Sequence, residues 1–262
     1  VIAGPGDSRA ERVLKEKKLA TNLKTALVTG AGSGIGRGVA IALADLGLKV
    51  ALVGRDREKL EKVRAELPRE GASAIVSACD ITDRAAVEST VTEVLSAFGS
   101  IDVLVCNAGT NVRNRSLESL SLADWDKMIA TNLTGSFNLV YHVLPLMRKE
   151  ENGLVIQICS VSGVRASTLG GAGYSASKFG QSALGICLGR EEGARGIRSS
   201  VIYPGEVNTP ILDARAVPPG AERRQVMLQP EDVAAAVRFL VELNPRAHVP
   251  ELIIKPTVDD FA

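Results

Sequence analysis

The chain has 262 residues, 45% of them hydrophobic and 23% charged, which is enough to bury one large core. A formal net charge of +1 gives no strong electrostatic draw toward nucleic acid or an anionic membrane surface, and no apolar run reaches the length of a bilayer span. Four widely spaced cysteines, Cys79, Cys106, Cys159 and Cys187, sit in or beside apolar segments, with neither metal-ligand spacing nor the density of a disulfide scaffold. Reduced, buried thiols and a cytoplasmic setting are therefore expected.

Residues 1–22 read as an N-terminal extension, a Gly/Pro start followed by a basic stretch from Arg9 to Lys18, expected to be loosely ordered. Residues 23–262 then alternate between two patterns. Short apolar runs at Thr25–Thr29, Val50–Val53, Ala74–Ala78, Val103–Cys106, Leu154–Ile158, Ser200–Tyr203 and Leu252–Ile254 predict strands. Between them, helical spacing covers Ile35–Leu46, Glu58–Leu67, Ala85–Phe98, a long stretch through Trp125 to Met147, Ala172–Glu192 and Val233–Leu243. Near-continuous apolar strands separated by helices predict a parallel sheet covered on both faces. The expected fold class is α/β, a single-domain Rossmann-like doubly wound sheet of about seven strands.

Between the first strand and the first helix lies Thr29-Gly30-Ala31-Gly32-Ser33-Gly34-Ile35-Gly36. Glycine lets the backbone turn sharply and approach a pyrophosphate with no Cβ in the way. The helix that follows offers free N–H groups and the positive end of its dipole. The spacing is G-x-x-x-G-x-G, and no Lys-Ser/Thr pair follows as in a P-loop. A Gly-rich turn can also be a plain tight connection, but its place at the first strand–helix junction points to a dinucleotide.

The second strand ends Val53-Gly54-Arg55-Asp56. An acidic side chain at this point would bind the ribose hydroxyls of NAD. Gly54 has no carboxylate, and Arg55 offers a permanently charged planar fork for a 2′-phosphate, so NADP is favoured. Arg55 as a solvated residue, and Asp56 either as a helix cap or as a ribose ligand favouring NAD, stay open.

Of three tyrosines only Tyr174 has a lysine four residues on, Lys178, which on a helix puts both side chains on one face. A free phenol with a pKa near 10 is a poor base at neutral pH, and a nearby ammonium lowers that value. Such tuning suits general acid/base work, although Tyr and Lys at this spacing are often surface residues. Ser160 follows an apolar strand, at the sheet end where ligands bind, and its hydroxyl can meet a substrate oxygen or merely cap a loop, as can Ser162. Asn132 falls inside the predicted long helix, where it can be a plain helix residue.

Together these residues resemble the short-chain dehydrogenase/reductase family, in its single-domain branch, over roughly residues 23 to 258. The motifs appear in the family's order: Thr29-Gly30…Gly34-Ile35-Gly36, Cys79-Asp80-Ile81-Thr82-Asp83, Asn107-Ala108-Gly109, Thr131-Asn132, Ser160, Tyr174-x-x-x-Lys178 and Pro204-Gly205-x-Val207-x-Thr209. The resemblance implies Tyr174 as the catalytic acid/base. It implies that Lys178 lowers the Tyr174 pKa and binds the nicotinamide ribose, that Ser160 orients the substrate carbonyl, and that Asn132 holds a water linking Lys178 to solvent. Gly30, Ser33, Gly34, Ile35, Gly36 and Arg55 would hold the phosphates and ribose of NADP, Asp80 and Ile81 the adenine. Asn107, Ala108 and Gly109 would line the cleft, with Pro204, Gly205, Val207 and Thr209 near the carboxamide. A homodimer or homotetramer built on the long helices is likewise implied.

The chain departs from the pattern in three places. Cys106 stands where the family often has Asn, one extra residue separates Ser160 from Tyr174, and the ending Leu252-Ile253-Ile254-Lys255-Pro256 lacks the Gly-rich tail common among acyl-carrier-protein reductases. His142 and His248 lie far from these motifs, so no metal is expected. Arg113, Arg115 and Arg165 follow strand ends that face the site, either as solvated residues or as partners for a substrate carboxylate or phosphate. Segment Ile211–Val226 resembles the family's substrate lid. The expected activity is hydride transfer between NADP, or NAD, and a small-molecule carbonyl or alcohol. The competing class is a nucleotide-binding scaffold that has lost its chemistry. The substrate itself is not legible, because it is bound by loops that vary freely on such a scaffold.

Overall fold

In a computed structural model the chain is described over residues 22–68 and 73–259. The expected N-terminal extension lies outside the described residues except for Asn22. Seven strands form one parallel sheet: β1 (Thr25–Thr29), β2 (Lys49–Gly54), β3 (Ala74–Ala78), β4 (Val103–Cys106), β5 (Gly153–Ile158), β6 (Ile197–Pro204) and β7 (Glu251–Ile254). Their order is β3-β2-β1-β4-β5-β6-β7, with every neighbouring pair parallel. The chain reverses its direction of travel across the sheet between β1 and β4, and that switch point opens a crevice at the carboxyl ends of the strands.

The helices are α1 (Gly34–Asp45), α2 (Arg57–Glu66), α3 (Arg84–Phe98), α4 (Leu122–Ile129), α5 (Gly135–Glu150), α6 (Ala172–Glu192), α7 (Ala221–Val226) and α8 (Pro230–Glu242). The strand alternation sends Ala26, Val28 and Leu52 to one face, where Val39, Leu43, Val233 and Val237 of α1 and α8 pack on them. Leu27, Val53 and Leu104 go to the other, against Val91 and Val94 of α3 and Leu139 and Val143 of α5. Both faces are thus sealed, as near-continuous apolar strands require.

Two expectations are revised, and one further helix is added. The helical stretch through Trp125 to Met147 is not one α-helix: a π-helical turn, Ala130–Thr134, separates α4 from α5 and carries Asn132. An inserted residue of this kind is held when side-chain bonds reward it, and the Asn132 amide supplies them. Cys187 is exposed, whereas Cys79, Cys106 and Cys159 are buried as expected. The short helix α7 escaped the periodicity, because six residues with two adjacent arginines show no apolar stripe.

Candidate active site

Thr29, at the last position of β1, organises the first wall of the crevice. Its hydroxyl donates to the Val105 carbonyl at 3.1 Å and accepts from the backbone N–H groups of Asn107 (3.0 Å) and Ala108 (3.1 Å). The Asn107 amide in turn donates to the Thr29 carbonyl at 2.8 Å. The ends of β1 and β4 are thereby clamped together directly beneath the glycine turn. Gly30 (φ +63°) and Gly34 (φ +52°) occupy the left-handed region that disfavours side chains. Ser33 precedes α1 without using its hydroxyl as a cap, and no acidic residue lies in the first turn. The helix therefore presents its N–H groups and positive dipole end uncompensated to the crevice.

One cleft of about 450 Å³ runs along this edge. Gly30, Ser33, Gly34, Ile35, Arg55, Asp80, Ile81, Asn107, Ala108 and Gly109 line one part of it, and Ser160, Tyr174, Lys178, Pro204, Gly205, Val207 and Thr209 another. Two of the residues singled out by sequence are not on its walls. Gly36 lies under the loop, where an added Cβ would fall 2.2 Å from the Gly30 carbonyl oxygen, so it permits the turn rather than facing a ligand. Asn132 is fully buried behind the wall.

At the Arg55 end, Asp56 caps α2 by accepting from the Lys59 backbone N–H at 3.1 Å and pairs with the Lys59 ammonium at 3.3 Å. The cap bond lies first among the causes that hold its carboxyl below the usual range. Arg55 and Lys59 both line the cleft here, and no motif in the sequence singles out Lys59. Asp80 accepts from the backbone N–H and the hydroxyl of Thr82, at 2.9 and 2.8 Å, and its carboxyl is held low chiefly by that backbone bond.

Ser160 follows β5 and caps a short turn, accepting from the Ser162 N–H at 3.1 Å. Tyr174 and Lys178 project from the first turns of α6 into the same cleft. Burial pushes the Tyr174 phenol up to about 12, opposed by a hydrogen bond with the Ser160 side chain. The Lys178 ammonium sits 5.8 Å from the Tyr174 ring centroid. It donates to the Ile158 carbonyl at 3.0 Å and to Gln181 Oε1 at 2.7 Å. Burial lowers the Lys178 pKa. The cations that act on the phenol are instead Arg115 and Arg215, which line the cleft beside it. The expected depression of the Tyr174 pKa by Lys178 is therefore not what this arrangement gives: desolvation outweighs the nearby positive charges.

Asn132 donates to the Thr110 carbonyl (3.0 Å) and the Ser177 hydroxyl (2.9 Å) and accepts from the Thr110 N–H (2.7 Å). Ser177 itself donates to the Tyr174 carbonyl at 2.7 Å, so the π-turn is tied to the helix that carries Tyr174. A Cβ on Gly109 would lie 3.4 Å from Asn132 Oδ1 and 3.7 Å from Lys178 Nζ, which shows how closely these two groups flank one glycine. An amide has two donors and two acceptor positions. Asn132 uses three of the four on protein, leaving one acceptor position.

Arg115 lines the cleft, whereas Arg113 and Arg165 are not among its walls. His142 stacks edge-on against Tyr141 at 5.2 Å, and His248 Nε2 lies 2.9 Å from the Ser199 carbonyl. Among the described residues no group of three or more His, Cys, Asp or Glu side chains is arranged to hold a metal ion, and no helix is long and apolar enough to cross a membrane.

Residues 24–217 match the family model of the short chain dehydrogenases. The chain belongs to that family. Levodione reductase of Leifsonia aquatica is 34% identical over 225 residues, covering 85% of this chain and 80% of the relative. A 3-oxoacyl acyl-carrier-protein reductase of Staphylococcus aureus is 36% identical over 227 residues, 83% of this chain and 90% of the relative. Among solved structures, an alcohol dehydrogenase from Thermococcus sibiricus complexed with 5-hydroxy-NADP superimposes with a TM-score of 0.82 at 30% identity, covering 91% of this chain and 99% of the other. The chain is thus a short-chain dehydrogenase/reductase with the family's nucleotide-binding fold.

Proposed function

We propose that this short-chain dehydrogenase/reductase interconverts a carbonyl and an alcohol with NADP, using Tyr174 as the general acid/base. The observation that carries the reading is that Ser160, Tyr174 and Lys178 line one part of the cleft whose far part is the glycine turn. A dinucleotide fits that cleft: the turn has no Cβ at Gly30 or Gly34, and the N–H groups of α1 have no acidic side chain to satisfy them. The nicotinamide, when bound, supplies or accepts the hydride at the reacting carbon. Ser160 orients the substrate oxygen by hydrogen bonding. In reduction the Tyr174 O–H gives its proton to that oxygen, and in oxidation the Tyr174 oxygen takes the proton from the alcohol. Lys178, fixed by Ile158 and Gln181, holds positive charge behind the phenol ring. The remaining acceptor position on Asn132 suits the water that would connect Lys178 to solvent.

Preference for NADP is supported at the other end of the cleft. Asp56 is engaged as a helix cap and with Lys59, while Arg55 and Lys59 stand on the wall where a 2′-phosphate would lie. The structural relative complexed with 5-hydroxy-NADP agrees in kind. A homodimer or homotetramer through α4–α6 is supported by Trp125, Phe137, Tyr141 and Phe179, all exposed on those helices. Sedimentation at micromolar concentration showing only monomer would exclude it.

The decisive experiment is Tyr174→Phe, assayed against a panel of ketones and alcohols with NADPH and NADP. Turnover is expected to fall by about 10²- to 10⁴-fold, the usual weight of a general acid/base, while nucleotide binding followed by fluorescence persists. Retained turnover would remove Tyr174 from the mechanism. Nucleotide binding without turnover by the wild type would favour the silent scaffold.

A further inference from the structure

Beyond the reacting centre, the cleft is closed by three segments: the loop after β4, the loop after β5, and the segment after β6. Each brings a wall residue: Arg115 from the first, Leu169 from the second, Leu212 and Arg215 from the third. Arg115 is fixed by a bond from Nη1 to the Leu169 carbonyl at 2.9 Å, and its backbone lies against Gly171, where a Cβ would fall 2.6 Å from the Arg115 carbonyl oxygen. Among the described residues no carboxylate pairs with it. Burial and then the like charge of Arg215 hold its pKa below the usual guanidinium value. Two cations held near each other in a part-buried wall are unfavourable unless an anion joins them.

Arg215 does have an anionic partner, Glu206, at 2.6 Å. Glu206 is also bound by Arg223, and Arg223 pairs with Asp259 at 2.6 Å. The cluster therefore sets three guanidiniums (Arg115, Arg215 and Arg223) against two carboxylates (Glu206 and Asp259). Among the described residues one positive charge is left over in this cluster, and the guanidinium with no carboxylate partner is Arg115. Leu169 and Leu212 add apolar surface to this wall, beside the polar side chains of Asn111, Ser162 and Ser167. A single unmatched guanidinium suits one negative charge, and its planar fork matches a carboxylate.

We propose that the substrate is a short hydroxy acid or its oxo-acid counterpart, whose carboxylate binds Arg115, with Arg215 as the second cation. This rests on the hydride-transfer reading above. In oxidation, the carbinol C–H leaves as hydride to the oxidised nicotinamide and the O–H proton passes to the Tyr174 oxygen as C=O forms. The carboxylate stays unchanged and holds the carbon chain in one orientation.

The test compares lactate, 3-hydroxybutyrate and 4-hydroxyvalerate with their methyl esters, and with glycerol 3-phosphate as a phosphate-bearing alcohol, using NADP and NAD. For at least one pair, wild-type kcat/KM for the acid is expected to exceed that for the ester by about 30-fold, the weight of a charge-assisted hydrogen bond. In Arg115→Gln that ratio is expected to fall to within about threefold, chiefly through KM for the acid, and Arg115→Lys to restore part of it. Arg215→Gln is expected to lower the ratio less, because Glu206 already offsets that charge. Esters turned over as well as acids by the wild type, or a ratio that Arg115→Gln leaves intact, would overturn the carboxylate site and leave hydride transfer standing. Preference for glycerol 3-phosphate would overturn the single-charge argument. Should Arg115→Gln lose NADPH binding through misfolding, the wild-type ratio and Arg115→Lys decide. Absence of turnover for every compound, with NADPH still bound, would overturn this proposal and the enzymatic reading together.

Discussion

The ammonium of Lys178 lies 5.8 Å from the centre of the Tyr174 ring, yet its hydrogen bonds run backward to Ile158 and Gln181. Gln181 is itself anchored, donating to Gln157 Oε1 at 3.0 Å and to the Ser136 hydroxyl at 3.2 Å. The lysine is thus immobilised from the core side. Burial keeps that phenol protonated, at about 12, so in the proposed reaction the chain alone would present the acid for carbonyl reduction.

A pH dependence follows from that value. Because the folded pKa of Tyr174 lies above its unfolded value near 10, the protonated form is favoured by folding. The associated stability is present below pH 10 and is lost between about 10 and 12. Alcohol oxidation, which needs the phenolate, is expected to rise with pH through the alkaline range, while reduction stays flat and then declines. Phenolate difference absorbance between wild type and Tyr174→Phe measures the midpoint directly. A midpoint below 9 in the nucleotide-free protein would contradict the desolvation argument.

Gly36→Ala is expected to damage nucleotide binding without touching the nucleotide. The added methyl would fall 2.2 Å from the Gly30 oxygen and 2.6 Å from Asn107 Nδ2. The turn and the Thr29 clamp would have to move, at a cost of about 1–3 kcal/mol, as for other overpacked sites. Gly193→Ala, with open space around it, serves as the control. Thermal melts with and without NADPH separate lost stability from lost affinity, and equal behaviour of the two variants would refute the packing argument.

Arg55→Ala and Asp56→Ala separate the two cofactor readings. Loss of Arg55 is expected to weaken NADPH by about 10-fold or more and leave NADH little changed, since only the former offers a phosphate partner. Loss of Asp56 removes the α2 cap and is expected to lower stability without altering the NADPH/NADH ratio. If Asp56→Ala instead weakens NADH, the carboxylate serves the ribose.

Away from the cleft, Glu192 is buried between Arg148 (2.5 Å) and Arg195 (3.0 Å). The Arg148 bond, first among its causes, brings its pKa down to about 2. Its stabilising effect is complete above the unfolded value near 4.3 and disappears as pH falls toward 2. Glu192→Gln is expected to cost about 2–3 kcal/mol at pH 7, the lower side for a buried pair because both guanidiniums are half exposed. The gap in melting temperature between wild type and variant should close below pH 4. A gap independent of pH would mean that packing, not charge, is lost.

The sequence by itself determined the alternation of strands and helices, the glycine turn at the first junction, and the order of the short motifs around Tyr174. These are local: an apolar run, a 3.6-residue stripe or a glycine that must have φ > 0 is written in neighbouring residues. Tertiary structure decided the rest. The stripe through Trp125 to Met147 predicts one helix, but Asn132 is drawn into a π-turn by partners 22 and 45 residues away. Thr29 becomes a clamp only once β4 lies beside β1, and Arg115 and Arg215 come to line one cleft only once the loops that carry them converge. Even the face that α6 buries is polar, carrying Ser175, Ser177, Lys178, Gln181 and Ser182, so hydrophobic periodicity is silent about it. The balance between desolvation and charge at Tyr174 depends on distances between atoms far apart along the chain, and folding alone fixes such distances.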